Sequence, residues 1–246
     1  MERMLDATAR AEDRHFWFIG LRRFARQILD AALPPGATRR VVDCGAGTGR
    51  NLEWLQAYGR VVGIELSDTG LAHGRARDRP MARASVAALP LPDASMDLAT
   101  SFDVLYCLDD ETERRAVAEM FRVLRPGGLA LVNVAALDVL RGSHSTLTHE
   151  LRRYTPDRLR RLLEDGGFAI ERLTFTNLTT FPVTLAARGL ERLTRRDQVA
   201  SDAELQVPPS LVNRLLDMAL GAEARLVRRV NLPIGTSLMC LARKPG

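Results

Sequence analysis

Apolar residues along this chain fall into short, nearly unbroken runs separated by longer stretches of helical period. Runs of strand length occur at 41–44, 60–65, 81–85, 96–102 and 129–135. Between them, Leu21, Phe24, Ile28 and Leu29, then Leu52, Trp54 and Leu55, then Val117, Met120, Phe121 and Leu124 recur at the three- and four-residue spacing of one helix face. A further helix is expected over 67–77. Strands that are apolar throughout, alternating with amphipathic helices, predict a doubly wound α/β fold with a parallel sheet covered on both faces.

After residue 136 the pattern changes. A loop carrying His144 and His149 reaches Tyr154-Thr155-Pro156, where a helix begins and runs to Gly166-Gly167. Residues 168–176 read as a sixth strand and 235–243 as a last one. Nearly sixty residues separate those two strands, far more than a hairpin loop. They hold helical stretches at 181–194 and 209–230, parted by a polar segment and Pro208-Pro209. The expected organisation is a helical lid segment over 1–36, a core domain over 37–177 and 232–246, and a helical cap inserted over 178–231.

Composition changes this picture little. The 246 residues suffice for one sizeable core. No apolar run reaches the roughly 18 residues of a bilayer span, and the N-terminus lacks an uninterrupted signal core, so the expected location is cytoplasmic. Cys44, Cys107 and Cys240 have neither metal nor disulfide spacing and read as packed thiols. The net charge of +5 is almost wholly arginine, with Lys244 the single lysine. Its arginines are spread along helices and paired with acids, as Glu111 with Arg115, so no nucleic-acid partner is expected.

The candidate chemistry centres on Asp43-Cys44-Gly45-Ala46-Gly47-Thr48-Gly49-Arg50. Alternating glycines after a strand let the main chain turn sharply and approach a ligand without Cβ atoms. Arg50 stands where a dinucleotide fingerprint has its last glycine. Asp43 would repel a pyrophosphate and suit a cationic amino-acid group. Glu65, twenty residues after Gly45, ends the next strand, where a carboxylate can take ribose hydroxyls.

These residues resemble motif I and the following acidic motif of the class I S-adenosylmethionine (SAM) dependent methyltransferases. Residues 88–97 (ALPLPDASMD) are similar to that family's "LPFPDxSFD" stretch, and 123–128 (VLRPGG) to its "VLKPGG" turn. The resemblance implies a mostly parallel, seven-stranded Rossmann-like sheet with SAM as cofactor over the carboxyl ends of the first strands. Asp43, Gly45, Gly47 and Gly49 would then face the methionine part, and Glu65 with Leu66 the ribose. Ser85, Val86 and Ala87 would face the adenine, and Phe102 the floor beneath the methyl group. Ser85 replaces the aspartate that many relatives carry for the adenine amino group, and Leu105-Tyr106-Cys107 replaces their "LEH". The flanking His15-Phe16-Trp17-Phe18 and His144-x4-His149-x4-Tyr154-Thr155 resemble a bacterial subgroup with "HFWF" and "H-D-x4-H-x-R-R-Y-T" elements. Ser145 stands for that subgroup's aspartate.

Methyl transfer is an in-line displacement that needs a positioned nucleophile and exclusion of water. His149 is the first candidate base and His144 the second, with Tyr154 placed to orient either. The alternative is that His149 pins its loop through the backbone. The two histidines lack a credible third ligand, so no metal is expected. Phe16, Trp17, Tyr106, Phe175 and Phe181 are candidate acceptor contacts. In the cap, Leu211, Leu215, Met218, Ala222, Leu226 and Val230 form one apolar stripe. It suits packing onto the sheet, a lipophilic acceptor pocket, or peripheral contact with a membrane.

The expected function is methyl transfer from SAM to oxygen or carbon of a small, lipophilic or lipid-linked acceptor. The alternatives are a non-catalytic SAM-binding partner protein and a nucleic-acid or protein methyltransferase. Residues 101–104 (SFDV) lack the Asn/Asp-Pro-Pro-aromatic element of nucleobase amino-methyltransferases. A nicotinamide oxidoreductase is disfavoured by Asp43 and Arg50.

Overall fold

Seven strands share one sheet in the computed structural model, which describes residues 2–33, 39–142, 150–193 and 206–246. They are β1 (Arg39–Cys44), β2 (Gly59–Glu65), β3 (Met81–Arg83), β4 (Met96–Phe102), β5 (Leu124–Ala135), β6 (Ala169–Thr176) and β7 (Ser237–Arg243). Their order is 3-2-1-4-5-7-6, and β7 lies antiparallel between β5 and β6. The helices are α1 (Glu2–Ala11), α2 (Phe16–Ala32), α3 (Arg50–Leu55), α4 (Asp68–Arg75), α5 (Asp110–Val123), α6 (Pro156–Asp165), α7 (Phe181–Leu193) and α8 (Ser210–Val227). The order in which successive strands are added to the sheet reverses between the parallel strands β1 and β4. In open α/β sheets such a switch point opens a crevice at the strands' carboxyl ends.

Local chemistry sets the helix starts. Ser67 accepts from Gly70 N ahead of α4, Asp109 from Glu111 N and Thr112 N ahead of α5, and Thr155 from Arg158 N ahead of α6. Strand β4 has the limits its apolar run predicts. Strand β5 begins five residues earlier than expected, because Arg125-Pro126-Gly127-Gly128 is drawn into the sheet over a register irregularity. Gly127 N donates to Lys244 O and Lys244 N to Gly128 O, while Lys244 Nζ donates to Phe121 O and Leu124 O. The single lysine thus satisfies carbonyls at the end of α5, where a cation is favoured.

Of the segment expected as a lid, only α1 lies over the glycine loop. Helix α2 is a core helix, with Phe24, Ile28 and Leu29 fully buried. It runs against α8: a Cβ on Gly20 would stand 2.7 Å from Leu220 Cδ1. Arg23 pairs with Asp217 at 2.7 Å.

Helices α7 and α8 lie between β6 and β7, as the cap was expected to. Packing of the α8 apolar stripe onto the sheet is corrected by the structure. Leu220, Glu223, Ala224 and Val227 form the buried face, while Leu211 and Met218 are 69% and 61% exposed. The reason is partner geometry. Gly20 leaves a groove for Leu220, and the Glu223 carboxylate accepts from Leu178 N, Thr179 N and Thr179 Oγ1 at the approach to α7. A satisfied buried carboxylate therefore turns the more apolar stripe outward.

Leu220→Ala is expected to cost about 2–5 kcal/mol of stability. Leu215→Ala, on the outward face, should stay within about 0.5 kcal/mol of the parent. Urea denaturation of both variants measures the contrast, and equal losses would contradict this orientation of α8.

Candidate active site

Asp43 ends the apolar run of β1 at the switch point, paired in register with Gly63 of β2 and Thr100 of β4. Its carboxylate is buried. Thr100 Oγ1 donates to Oδ1 at 2.7 Å, and Oδ2 has no hydrogen-bond donor. Burial pushes the carboxyl up to about 7; the Thr100 hydrogen bond pulls it down and the Glu65 charge pushes it up. An unpartnered buried carboxylate oxygen at the head of a glycine loop fits a cationic ammonium donor.

Gly45, Gly47 and Gly49 all have left-handed backbones, with φ of 82°, 57° and 78°. At Gly45 a second constraint operates. A Cβ there would lie 2.3 Å from Val104 Cγ2, because the segment after β4 packs onto the loop. Glu65 holds the loop from the other side. Its Oε2 accepts from Gly47 N at 2.7 Å, and its Oε1 from Leu66 N and Ser67 N at 2.9 and 2.8 Å. A carboxylate offers about four acceptor sites, so one remains for a ligand hydroxyl. The Leu66 side chain is exposed.

Ser85 Oγ accepts from Ala87 N at 3.2 Å and shapes the turn through Val86. Phe102 is buried, its ring 6.0 Å from that of Trp54. Tyr106 is buried, and its carbonyl accepts from Leu151 N. Phe16 and Trp17 open α2, where Phe16 N donates to Asn213 Oδ1 and Trp17 N to His15 Nδ1. Phe175 and Phe181 belong to β6 and the start of α7, four strand spacings or roughly 19 Å from β1. They are not brought together with the glycine loop. His144 and His149 lie outside the described residues. Tyr154 is fully buried, its hydroxyl donating to Glu113 and its backbone pairing with β5.

Two groups around the loop were missed by the sequence reading. One is the end of α1. Glu12 is 3% exposed and accepts from Thr48 Oγ1 at 2.6 Å, with Arg79 Nη1 3.7 Å from its other oxygen. Arg79 also donates to Thr48 O and Glu53, and Asp13 pairs with Arg50. Leu5 sits 3.5 Å from where a Gly47 Cβ would be. Helix α1 is thereby latched over the glycine loop. Burial raises the Glu12 carboxyl above the ordinary range against the Thr48 hydrogen bond and Arg79.

The other is Asp103, immediately after β4. Its backbone is left-handed (φ 61°), an uncommon conformation for a residue with a side chain. Asp103 N donates to Asn133 O, and Asn133 Nδ2 donates to Asp103 Oδ1, both at 3.0 Å. Asn133 is fully buried, and its own Oδ1 has no partner. Burial pushes the Asp103 carboxyl up to about 7; the Asn133 hydrogen bond and Arg153 lower it, and Glu150 raises it. Asp103 adjoins Val104, the residue in contact with the glycine loop. The rule that functional groups gather at carboxyl ends of strands was the available signal for it.

Sheet order, switch-point crevice and glycine loop together define an α/β cofactor-binding protein. A family model described as a methyltransferase domain matches residues 42–132. The ubiquinone/menaquinone biosynthesis C-methyltransferase UbiE of Methylobacterium nodulans is 35% identical over 193 residues, covering 65% of this chain and 75% of that protein. A Mycolicibacterium smegmatis protein named a probable S-adenosylmethionine-dependent methyltransferase is 34% identical over 140 residues, 55% of this chain and 54% of its own. This chain thus spans about half the length of that relative. Among solved structures, a SAM-dependent methyltransferase of Thermotoga maritima has the same fold, with a TM-score of 0.63 at 18% identity over 99% of this chain and 97% of that one. The chain belongs to the class I SAM-dependent methyltransferases.

Asp43 supplies a pH test. A cation beside its carboxylate favours the ionised form, so SAM binding is expected to release a proton below about pH 7 and to tighten as pH rises from about 6 to 7.5. Calorimetry in buffers of different ionisation enthalpy measures both. Asp43→Asn should flatten this dependence and weaken binding about tenfold or more at pH 7.5. In the free protein the sign reverses. The folded value lies above the unfolded one, so the Asp43 contribution to stability is full below about pH 4 and is lost as pH rises through 7. Asp43→Asn should therefore raise the Tm more at pH 8 than at pH 5.

The latch is tested separately. Glu12→Ala is expected to speed hydrogen exchange in α1 and SAM dissociation several-fold, leaving exchange in β1 and β4 unchanged. Unaltered exchange in α1 would remove the latch.

Proposed function

We propose that this protein transfers the methyl group of SAM to oxygen or carbon of a small, lipophilic acceptor. The reading rests first on Asp103, a partly buried carboxylate with its value near 7, one residue from the Val104 contact with the cofactor loop. SAM supplies an electrophilic methyl on a sulfonium. The chain's own residues then have three tasks.

Asp43 and the loop of Gly45, Gly47 and Gly49 hold the methionine end, while Glu65 takes a ribose hydroxyl. Helix α1, latched through Glu12, excludes water from the loop, which strengthens charge interactions within it. Asp103 accepts the proton that the acceptor's oxygen or carbon loses as the new bond to the methyl carbon forms and the bond to sulfur breaks. Asn133 orients its carboxylate through Oδ1. A base whose value lies near the working pH is well matched to this transfer. His149 and His144 remain candidates for the same task.

A lipophilic acceptor is supported by the aromatic and aliphatic walls beside Asp103, namely Phe102, Val104 and Tyr106. It is also supported by the likeness to a relative whose name places it in ubiquinone and menaquinone biosynthesis.

The experiment offers SAM with a labelled methyl group to bacterial lipid extracts, to a short-chain naphthoquinol, and to protein and nucleic-acid fractions. Label is expected in the lipid or quinol fraction. Label confined to protein or nucleic acid overturns the acceptor class, and SAM binding without any transfer overturns catalysis. With an acceptor in hand, Asp103→Asn should lower kcat about 100-fold or more with SAM affinity unchanged. In the parent, kcat should rise with pH through about 7. A variant with parental kcat and profile would return the base to the histidines.

A further inference from the structure

Helix α8 presents two faces of different character. Against α2 it buries Leu220, Ala224 and Val227. On the opposite side Leu211, Leu215, Met218, Ala222 and Leu226 follow one another at three- and four-residue steps and are all exposed. Over these sixteen residues the stripe is about 22 Å long. Single exposed leucines need no explanation, but a continuous stripe of this length does.

The charges of α8 are sorted around that stripe. Both acids are turned away from it and engaged: Asp217 pairs with Arg23, and Glu223 is buried on the Leu178 and Thr179 amides. The bases are not engaged. Arg225, Arg228 and Arg229 line, with Gln27 of α2, an open hollow of about 450 Å³ at the carboxyl end of the helix. Among the described residues none of these three guanidinium groups makes a hydrogen bond or ion pair. Helix C-termini favour cations, which explains one arginine there; three unpaired guanidiniums converging on one hollow call for an anionic partner.

We infer that the outward face of α8 docks on an anionic lipid bilayer. The stripe from Leu211 to Leu226 enters the boundary between headgroups and acyl chains, and Arg225, Arg228 and Arg229 engage lipid phosphates. An amphipathic helix with an apolar side and arginine on its polar side lies in the interface plane in this way. Charge decides the occupant: a stripe flanked by arginine with no facing acid repels a second copy of itself and is complementary to a negatively charged surface. The inference rests on α8 and does not depend on the methyl-transfer reading.

The test is flotation of the full chain with vesicles of phosphatidylcholine alone and of equimolar phosphatidylcholine and phosphatidylglycerol, with SAM calorimetry in parallel. Binding is expected to the anionic vesicles, weak to the neutral ones, and to fall with added salt. Leu215→Asp with Met218→Asp should abolish it. Arg228→Ala with Arg229→Ala should weaken it about thirtyfold. All four positions are exposed, so urea midpoints and SAM affinity should match the parent.

Absence of flotation with SAM binding intact overturns the docking proposal and leaves the methyltransferase reading standing. Three further results also overturn it. One is flotation indifferent to these variants, and another is full displacement of the protein from the vesicles by inorganic phosphate, which marks a soluble-anion site. The third is a dimer, seen by light scattering, that the stripe variants dissociate.

Discussion

A buried carboxylate at the head of the sheet is the constraint on which the site depends. Asp43 lies between Gly63 and Thr100, one oxygen bonded and the other without a donor. Burying such a group is unfavourable unless it is protonated or meets a cation. The surroundings maintain that condition. The loop that follows turns through left-handed glycines at 45, 47 and 49, Val104 packs where a Gly45 Cβ would be, and Leu5 of α1 lies over Gly47. Relieving the burial at any of these points would restore an ordinary aspartate with a weaker preference for a cationic ligand.

Asp103 repeats the same physics at the end of the neighbouring strand. Strand β4 ends in a left-handed residue, and that turn places a partly buried carboxylate on Asn133. Both carboxylates are driven toward neutrality by burial, yet they are tuned for different partners. In the proposed function Asp43 would answer to a fixed positive charge, and Asp103 to a proton that comes and goes. On the proposed function, two acids of the same type would serve binding and chemistry within one crevice.

Much of this was legible in the chain itself. The strands of an α/β sheet buried on both faces are apolar throughout, so β1, β2 and β4 stand out, and the loop after β1 is marked by glycines that no other residue replaces cheaply. Helix α1 was not legible, because its hold on the loop is polar: Glu12 with Thr48 and Arg79, residues 36 and 67 positions downstream. The orientation of α8 was misjudged for a related reason. Periodicity identifies the most apolar face, whereas burial follows the face that finds partners, here Gly20 for Leu220 and two backbone amides for Glu223. Asp103 looks like any strand-end acid until its φ and the side chain of Asn133, thirty residues on, are known.

Asn213 joins regions that have so far stood apart. It lies in the first turn of α8, donates to Arg14 O and accepts from Phe16 N, and so grips the short turn between α1 and α2. That turn joins the helix latched over the glycine loop to the core helix α2. A shift of α8 by an ångström would be felt at the turn through two hydrogen bonds, without passing through the sheet. Whatever docks on the outer face of α8 would therefore lean on a helix bonded directly to the turn that carries α1.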